Sequence, residues 1–194
     1  GEKGLSASLA EQNIALMEGR GVKKVIALSP HAFNVMKNEY PKYGSSVGVY
    51  HYTQVLVSLM DKLTPAFTSA KVVTYHDPCY LGRWNNEYNT PRAILKFIKG
   101  LSLVEMDRSG QNALCCGGGG GNFFTDMLGS GPDLSSRARV RAAVASGADI
   151  LAVACPQCYR MLSDAADAEG VHEKIRVMEL SEIIGTAGAG NNGR

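Results

Sequence analysis

The chain has 194 residues, of which 45% are hydrophobic and 20% are charged, and its formal net charge is +2. This composition is typical of a soluble globular protein, and 20 basic residues against 18 acidic ones, with no basic run, argue against nucleic acid as a partner. No apolar stretch approaches the roughly 18 to 20 residues that span a bilayer, and residues 1–4 lack a signal-peptide pattern, so we expect a cytoplasmic protein.

Short apolar, β-branched runs bounded by Gly, Pro or charged residues predict buried strands. In chain order these runs are 23–29, 71–75, 101–105, 150–154 and 175–178. Helical patterns alternate with them at 7–18, 32–40, 53–63, 90–98, 135–146, 159–169 and 181–184. The alternation predicts an α/β fold in which helices flank short parallel sheets. The small, polar, Gly-rich stretch 185–194 is interpreted as disordered.

An internal repeat indicates two halves. Residues 21–33 align without gaps on residues 147–159, at an offset of 126 positions, and the similarity continues further on after a shift of two. We therefore expect two pseudo-repeated halves, an incomplete and degenerate first half at 1–66 and an intact second half at 67–187, followed by a disordered tail at 188–194. The second half has a long leader without a counterpart, which predicts that the chain is the C-terminal portion of something longer. The alternative is a chance similarity between two strand–proline–helix units.

All five cysteines occupy predicted strand ends or a glycine-rich loop. Cys79 directly follows the strand at 71–75, at the edge where open parallel sheets bind their ligands. Cys115 and Cys116 lead into five consecutive glycines, which let the backbone bend so that both sulfurs face one centre. The same glycines let main-chain N–H groups approach an anionic cluster and donate to its sulfur.

Cys155 and Cys158 form a C-x-x-C pair where a predicted strand ends and a helix begins. Pro156 suits the first helical position, which would place both thiols at the helix N-terminus. The positive end of the helix dipole lowers thiol pKa values and favours the thiolates that bind metal.

Four kinds of site use cysteines or glycines arranged in similar ways. A C-x-x-C alone is typical of a clusterless dithiol oxidoreductase, here using Cys155 and Cys158. A zinc-binding structural or interaction module would need four thiolates in two closely spaced pairs, and a second C-x-x-C is missing. A phosphate loop at the glycines lacks the G-x-x-x-x-G-K-[ST] pattern. The complete pattern, Cys-x35-Cys-Cys-x38-Cys-x2-Cys, favours an iron–sulfur cluster, whose usual ligands are thiolates.

Four segments resemble the CCG (cysteine-rich) domain of heterodisulfide-reductase-type iron–sulfur subunits. They are HDPCYLGR at 76–83, NTPR at 89–92, LCCGGGGG at 114–121 and ACPQC at 154–158. The resemblance implies that an intact half holds one noncubane [4Fe-4S] cluster. It also implies the ligands of that cluster: Cys79, Cys115, Cys116, Cys155 and Cys158.

The resemblance further implies an oxidoreductase or electron-transfer module that acts in thiol–disulfide or respiratory electron transfer. The expected partners are an electron-donor or electron-acceptor protein or a membrane-complex subunit, together with a thiol or disulfide substrate. The expected location is the cytoplasm, with peripheral attachment to a membrane complex.

Two departures from the family pattern limit what we expect of this chain. Ser29, His31 and Ala32 stand where the first half would read Cys-Pro-x-Cys, so we expect no cluster there. The ferredoxin-like domain that usually precedes the two halves is also absent from the sequence. We therefore expect the chain not to be self-sufficient as a catalyst.

Five further polar residues are candidates for a role at the site, each with a simpler alternative. His76 and Asp77 are placed to hydrogen-bond cluster sulfur or relay a proton, or Asp77 caps the following turn. Arg83 and Arg92 are placed to offset cluster charge or hold a carboxylate substrate, or they are solvated surface residues. His31 either binds in place of the missing thiols or is simply a partly buried histidine.

Overall fold

A computed structural model describes residues 2–125, 129 and 131–189. Within these residues it contains seven α-helices and six β-strands that alternate along the chain. The first half comprises α1 (Lys3–Gly19), β1 (Lys24–Ala27), α2 (Pro30–Asn34), β2 (Gly48–His51) and α3 (Tyr52–Ser58). The second comprises β3 (Ala66–Tyr75), α4 (Asn89–Phe97), β4 (Lys99–Leu103), α5 (Ser135–Ala145), β5 (Ile150–Val153), α6 (Pro156–Ala168), β6 (Arg176–Glu179) and α7 (Leu180–Ala189).

The strands form two parallel sheets, which confirms the predicted fold class. β1 pairs with β2 in a two-stranded sheet, and the larger sheet has the order β4-β3-β5-β6. β3 lies between β4 and β5, with Tyr75 opposite Ala152. The carboxyl ends of β3 and β5 therefore meet at the same edge of the larger sheet. No helix among the described residues is both long and apolar enough to cross a membrane.

β5 is buried on both faces because each face packs against a different layer. Ile150 and Ala152 belong to an apolar cluster that also contains Phe33 and Tyr52 of the first half. Leu151 belongs to a second cluster, which contains side chains of α5 and α6 and three of the cysteines. The cysteine region thus lies on the α5–α6 side of the larger sheet.

The first half differs from the sequence pattern in the region that follows β1. The predicted helix at 32–40 is divided into the short α2, a π-helical turn at Val35–Glu39 and a 3-10 turn at Tyr40–Tyr43 that contains Pro41. No apolar run in the sequence predicts β2, which is expected only from the alignment of the two repeats.

α7 extends to Ala189, whereas the tail was expected to be disordered from 185 or 188. Ala187 is buried in the core, so tertiary packing overrides the low helix propensity of the glycines. The remainder of the predicted tail, 190–194, lies outside the described residues.

The strand registers follow the offsets of the internal repeat. Lys24 pairs with Gly48 in the smaller sheet, and Ile150 pairs with Arg176 in the larger one. In both halves a proline begins the helix that follows the first strand of the pair, Pro30 in α2 and Pro156 in α6. These correspondences agree with the alignment, while a common origin of the two halves, and the boundary at residue 66, stay predictions.

A buried histidine in the first half predicts a pH dependence of stability. His51 is fully buried, and its side chain accepts from Thr53 N–H at the start of α3. Burial lowers the pKa of His51 to about 4, against 6.5 for an exposed histidine. The folded state therefore binds fewer protons than the unfolded chain, and the stability contributed by neutral His51 is lost as the pH falls through 6.5 toward 4.

We expect the free energy of unfolding to fall by about 3 kcal/mol over this window, at about 1.4 kcal/mol per pH unit. The comparison is with His51→Asn, which keeps an acceptor at the helix N-terminus and removes the titrating group. Urea unfolding at several pH values should show a flatter profile for the variant. Identical slopes for the two proteins would contradict the assignment to His51.

Candidate metal centre

The five cysteines lie on three segments that the larger sheet brings together. Cys79 lies in a turn shortly after the end of β3, and Cys155 follows β5 after a single residue. Because β3 and β5 are parallel neighbours, both segments leave the same edge of the sheet. The backbone N–H of His76 donates to the carbonyl of Ala152 at 2.9 Å and continues the pairing up to the site. This confirms the predicted strand-end position of Cys79.

The glycine-rich loop bends immediately after the adjacent cysteines. Gly117 has φ +80°, a conformation that favours glycine and lets the chain turn directly after Cys116. The N–H of Gly117 donates to Cys115 Sγ at 3.4 Å. The Ser135 hydroxyl donates to the carbonyl of Cys115 at 2.5 Å and ties the loop to the first turn of α5. One glycine N–H group therefore donates to a cysteine sulfur at this loop, and the expected donation to the sulfur of a bound cluster stays a prediction.

α6 presents the C-x-x-C pair at its N-terminus, as predicted from Pro156. Cys155 is the N-cap residue with an extended backbone, and the helix starts at Pro156. Cys158 lies in the first turn, and both thiols are buried. The side chain of Gln157, between them, donates to the carbonyl of Gly118 and connects α6 to the glycine-rich loop.

The five free thiols form one continuous set of contacts. Cys79 interacts with Cys115, which in turn interacts with its neighbour Cys116. Cys116 interacts with Cys158 of α6, and Cys158 interacts with Cys155. Every cysteine of the chain thus contributes to a single cluster of sulfur atoms.

These contacts divide the thiols into two groups by the direction of their pKa shifts. Hydrogen bonds from Cys116 and Cys79, with help from Gly117 N–H, lower the pKa of Cys115 to about 2. A hydrogen bond from Cys158 and a smaller one from His31 lower the pKa of Cys155 to about 5. The pKa values of the other three rise, chiefly because each shares a proton with a neighbouring sulfur. Without metal, Cys115 and Cys155 are therefore favoured as thiolates, the form that binds metal, and the other three cysteines are favoured as thiols.

His76 completes a compact set of donor atoms with two of the thiols. A ring nitrogen of His76 and the sulfurs of Cys116 and Cys158 all lie within 4.8 Å of one another. His76 is fully buried, and burial, together with the charge of Arg139, lowers its pKa to about 3. The imidazole is therefore neutral at physiological pH.

Asp77 and Arg92 form a largely buried ion pair near the segment that carries Cys79. Two guanidinium nitrogens of Arg92 donate to the two carboxylate oxygens of Asp77 at 2.7 and 2.9 Å. Arg92 also holds Glu105, and Asp77 accepts from the N–H of Gly110 at 2.8 Å. Asp77 therefore fixes the segment that leads to Cys115 and does not cap its own turn.

Arg83 and His31 also have structural partners near the site. Arg83 donates to the carbonyl of Ala113, two residues before Cys115. His31 Nδ1 lies 4.0 Å from Cys155 Sγ, and its ring packs on Tyr80 at a centroid distance of 4.4 Å. The first half thus contributes a side chain to the cysteine site.

An open cavity of about 340 Å³ lies beside this contact. It is lined by Ser29, His31, Phe123, Phe124, Pro156 and Gln157. Because Pro156 and Gln157 lie between Cys155 and Cys158, the cavity adjoins that part of the site, whose two sulfurs are themselves buried.

Arg139, which is fully buried beside His76, is not among the site residues predicted from the sequence. The pattern of buried positions in α5 could have indicated this residue. Ser136, Val140 and Ala143 form the buried stripe of this helix, and Arg139 lies on that stripe. A charged residue on an apolar helix face seldom lacks a buried partner. Gln157 was also missed, although it lies inside the C-x-x-C pair.

Gly118 lies so close to α6 that a larger residue would disturb the loop. A Cβ atom at this position would lie 2.9 Å from Met161 Cγ and 3.1 Å from Gln157 Nε2. We expect Gly118→Ala to cost about 1–3 kcal/mol of stability by overpacking and to weaken metal retention. The matched control is Gly119→Ala, because a Cβ atom there would meet nothing within 4 Å.

Thermal unfolding and metal content of the two variants measure this difference. Equal losses at both positions would show that the effect comes from the loop backbone and not from its contact with α6.

Comparison with known proteins identifies the region that holds the cysteines. Residues 73–163 match the model of the CCG family, described as the cysteine-rich domain. The chain is 39% identical over 186 residues to the probable iron-sulfur-binding oxidoreductase FadF of Bacillus subtilis, a match that covers 95% of this chain and 26% of FadF. It is 32% identical over 191 residues to the EtfAB:quinone oxidoreductase of Syntrophomonas wolfei, a match that covers 95% of this chain and 27% of that protein.

A third relative is a component of the dihydromethanophenazine:CoB--CoM heterodisulfide reductase of Methanosarcina barkeri. It is 37% identical over 191 residues, covering 94% of this chain and 45% of that component. The chain therefore spans less than half the length of each of these three relatives.

Proposed function

Since residues 73–163 are a CCG cysteine-rich domain, we propose that this chain is an iron–sulfur electron-transfer module whose five cysteines bind one noncubane [4Fe-4S] cluster. The proposed ligands are Cys79, Cys115, Cys116, Cys155 and Cys158. The observation that carries the proposal is the convergence of all five thiols, from three separate segments, into one continuous set of contacts. The names of the relatives support iron–sulfur binding, and the cluster type is our own inference.

The donor set fits an iron–sulfur cluster better than the two rival sites. Zinc takes four ligands in a closed tetrahedral site, which would leave one of the five contacting thiols unused. A simple dithiol centre would need only Cys155 and Cys158, yet Cys158 also contacts Cys116. Several thiolates in a partly buried pocket, with N–H donors nearby, are the usual environment of iron–sulfur clusters.

The residues around the thiols have separate tasks in this proposal. The bound cluster would supply one-electron or two-electron redox chemistry at the end of the sheet. Gly117 N–H donates to sulfur, and the bond from Gln157 to Gly118 keeps the loop against α6. The cavity next to His31 would admit a thiol, a disulfide or part of an electron-transfer partner to the Cys155 side.

We propose that electrons reach this site from a partner protein, such as a flavoprotein or a subunit of a membrane complex, in the cytoplasm. Two of the relatives carry the names of a quinone oxidoreductase and of part of a heterodisulfide reductase, which supports an assembly of this kind. Thiol–disulfide interconversion and respiratory electron transfer are both compatible with the open cavity. The chain would then act as one module of a larger oxidoreductase.

The first half is proposed to hold no cluster of its own. Ser29, at the position of the first missing thiol, accepts from His31 N–H at 3.3 Å and caps α2. Its hydroxyl therefore serves as the N-cap of α2, and the methyl group of Ala32 cannot bind a metal. His31 reaches instead toward Cys155 in the second half.

Metal analysis of anaerobically purified and reconstituted protein tests the proposal. We expect a brown protein with iron and acid-labile sulfide in equal amounts, at the ratio that one [4Fe-4S] cluster requires. A colourless protein that retains zinc would support a structural module instead. Protein that holds no metal but cycles between dithiol and disulfide at Cys155 and Cys158 would support the dithiol oxidoreductase.

A further inference from the structure

His76 lies between the buried guanidinium of Arg139 and the cysteine cluster. Its backbone is fixed at the end of β3 by the bond to Ala152, and its side chain is fully buried. On one side of the ring, Arg139 Nε donates to His76 Nδ1 at 3.3 Å. A ring nitrogen lies within 4.8 Å of the sulfurs of Cys116 and Cys158. The ring therefore connects a cation to the candidate ligands.

Arg139 determines which ring nitrogen carries the proton. A guanidinium group only donates hydrogen bonds, so His76 Nδ1 must accept and the proton of the neutral ring must be on Nε2. Arg139 itself is held by the carbonyl of Tyr75 at 3.3 Å and by the carbonyl of Arg108. With these anchors the guanidinium cannot turn away from the imidazole without breaking other buried hydrogen bonds.

The second ring nitrogen, Nε2, has no hydrogen-bond partner within the part of the chain that the structure describes. A buried N–H group without an acceptor is unfavourable, and the sulfurs of Cys116 and Cys158, both possible acceptors, lie within 4.8 Å of a nitrogen of this ring. We propose that His76 is an Nε2–H hydrogen-bond donor to sulfur of the metal centre, and that Arg139 is the positioning residue that fixes this tautomer. The identity of the acceptor as cluster-bound sulfur rests on the proposed function.

The same geometry argues against His76 as a metal ligand. Coordination through Nε2 requires a free electron pair there, which places the proton on Nδ1. The Nδ1–H group would then face the Nε–H of Arg139, and two donors would point at each other. His76 therefore assists the thiolates without replacing one of them.

A hydrogen bond from His76 to sulfur would tune the redox properties of the cluster. N–H donors to cluster sulfur stabilise the more negatively charged, reduced state. Loss of the donor should therefore shift the midpoint potential to more negative values while iron content is preserved. A ligand would behave differently, because its removal lowers iron content.

The tautomer is tested first in the metal-free chain labelled with ¹⁵N-histidine. Long-range ¹H–¹⁵N NMR distinguishes the two neutral tautomers, and His76→Gln identifies the signal. We expect the Nε2–H form at pH 7, with that preference reduced in Arg139→Met. An Nδ1–H signal for His76 in the wild-type chain overturns the proposal whether or not a cluster binds.

The role toward sulfur is tested in the reconstituted protein. We expect His76→Phe to keep its iron and sulfide and to show a more negative midpoint potential, and His76→Gln, which retains an N–H donor, to recover part of the shift. His172→Gln is the matched control, because His172 is exposed and contacts only surface carboxylates among the described residues. An unchanged potential in His76→Phe, or loss of iron with a directly bonded nitrogen in pulsed EPR of ¹⁵N-labelled wild type, overturns the proposal. Wild-type protein that binds no cluster would instead reject the proposed function and leave the tautomer result standing.

Discussion

Replacement of any one of the five cysteines by alanine should remove most of the iron and sulfide from the reconstituted protein. Each thiol contacts another of the set, so each replacement removes one proposed ligand and the sulfur contact that it makes with its neighbour. Even residues that only support metal ligands change metal affinity by about 10–100-fold when they are replaced, and a ligand should have at least that effect. Iron and acid-labile sulfide per chain, measured after anaerobic gel filtration, give the result directly.

The matched control is Ser29→Ala, at the first-half position equivalent to Cys155. Because the Ser29 hydroxyl caps α2 and contacts no cysteine among the described residues, this variant should lose some stability and keep its iron. Among the five cysteines, Cys79 gives the most informative variant, since it is the only one on its segment. Full iron and sulfide in Cys79→Ala would show that the cluster needs no more than the other four thiols.

Arg92→Met should destabilise the protein by about 3–5 kcal/mol, the usual cost of leaving one member of a buried ion pair unpaired. The side chain of Asp77 is 3% exposed, and Arg92 binds both of its carboxylate oxygens. Methionine fills a similar volume but neutralises nothing, so Asp77 would stay buried with only the N–H of Gly110 as a partner among the described residues. Urea unfolding of the anaerobic protein at pH 7 measures the loss.

A surface ion pair provides the comparison for this prediction. Arg141 donates to Glu169 and is 45% exposed, so Arg141→Met should cost less than about 1 kcal/mol. Similar losses for the two variants would mean that the Asp77–Arg92 pair contributes no more than an exposed one. In Arg92→Met we also expect weaker metal retention, because Asp77 holds the segment that leads to Cys115.

The centre of the larger sheet was predictable because β5 and the end of β3 are buried runs that are followed by proline or charge. β5 is the clearest case, because all four of its residues are buried and it lies between Gly147 and Pro156. The strand-end positions of Cys79 and Cys155 follow directly from such runs. The elements of the first half were harder to predict, because tertiary contacts decide where the helix after β1 becomes a π-helical and then a 3-10 turn.

The partners of the polar residues near the site could not be predicted from local pattern. Arg92 and Asp77 are 15 residues apart, and Arg139 and His76 are 63 apart, so only the folded chain shows that they pair. The contact of His31 with Cys155 spans 124 residues and depends on how the two sheets pack. The ligand roles of the five cysteines stay predictions from the family resemblance, while their proximity is a property of the fold.

The order β4-β3-β5-β6 determines when the metal site can assemble during folding. Val73 of β3 pairs with Ile150 of β5, so these strands meet only after a long stretch of intervening chain has been synthesised and arranged. Until then Cys79 is separated from Cys155 by an open loop, and only the adjacent pair Cys115 and Cys116 is locally preformed. A growing chain therefore presents an incomplete set of the proposed ligands until Cys158, in the first turn of α6, has emerged. Insertion of the proposed cluster must then follow translation of that turn.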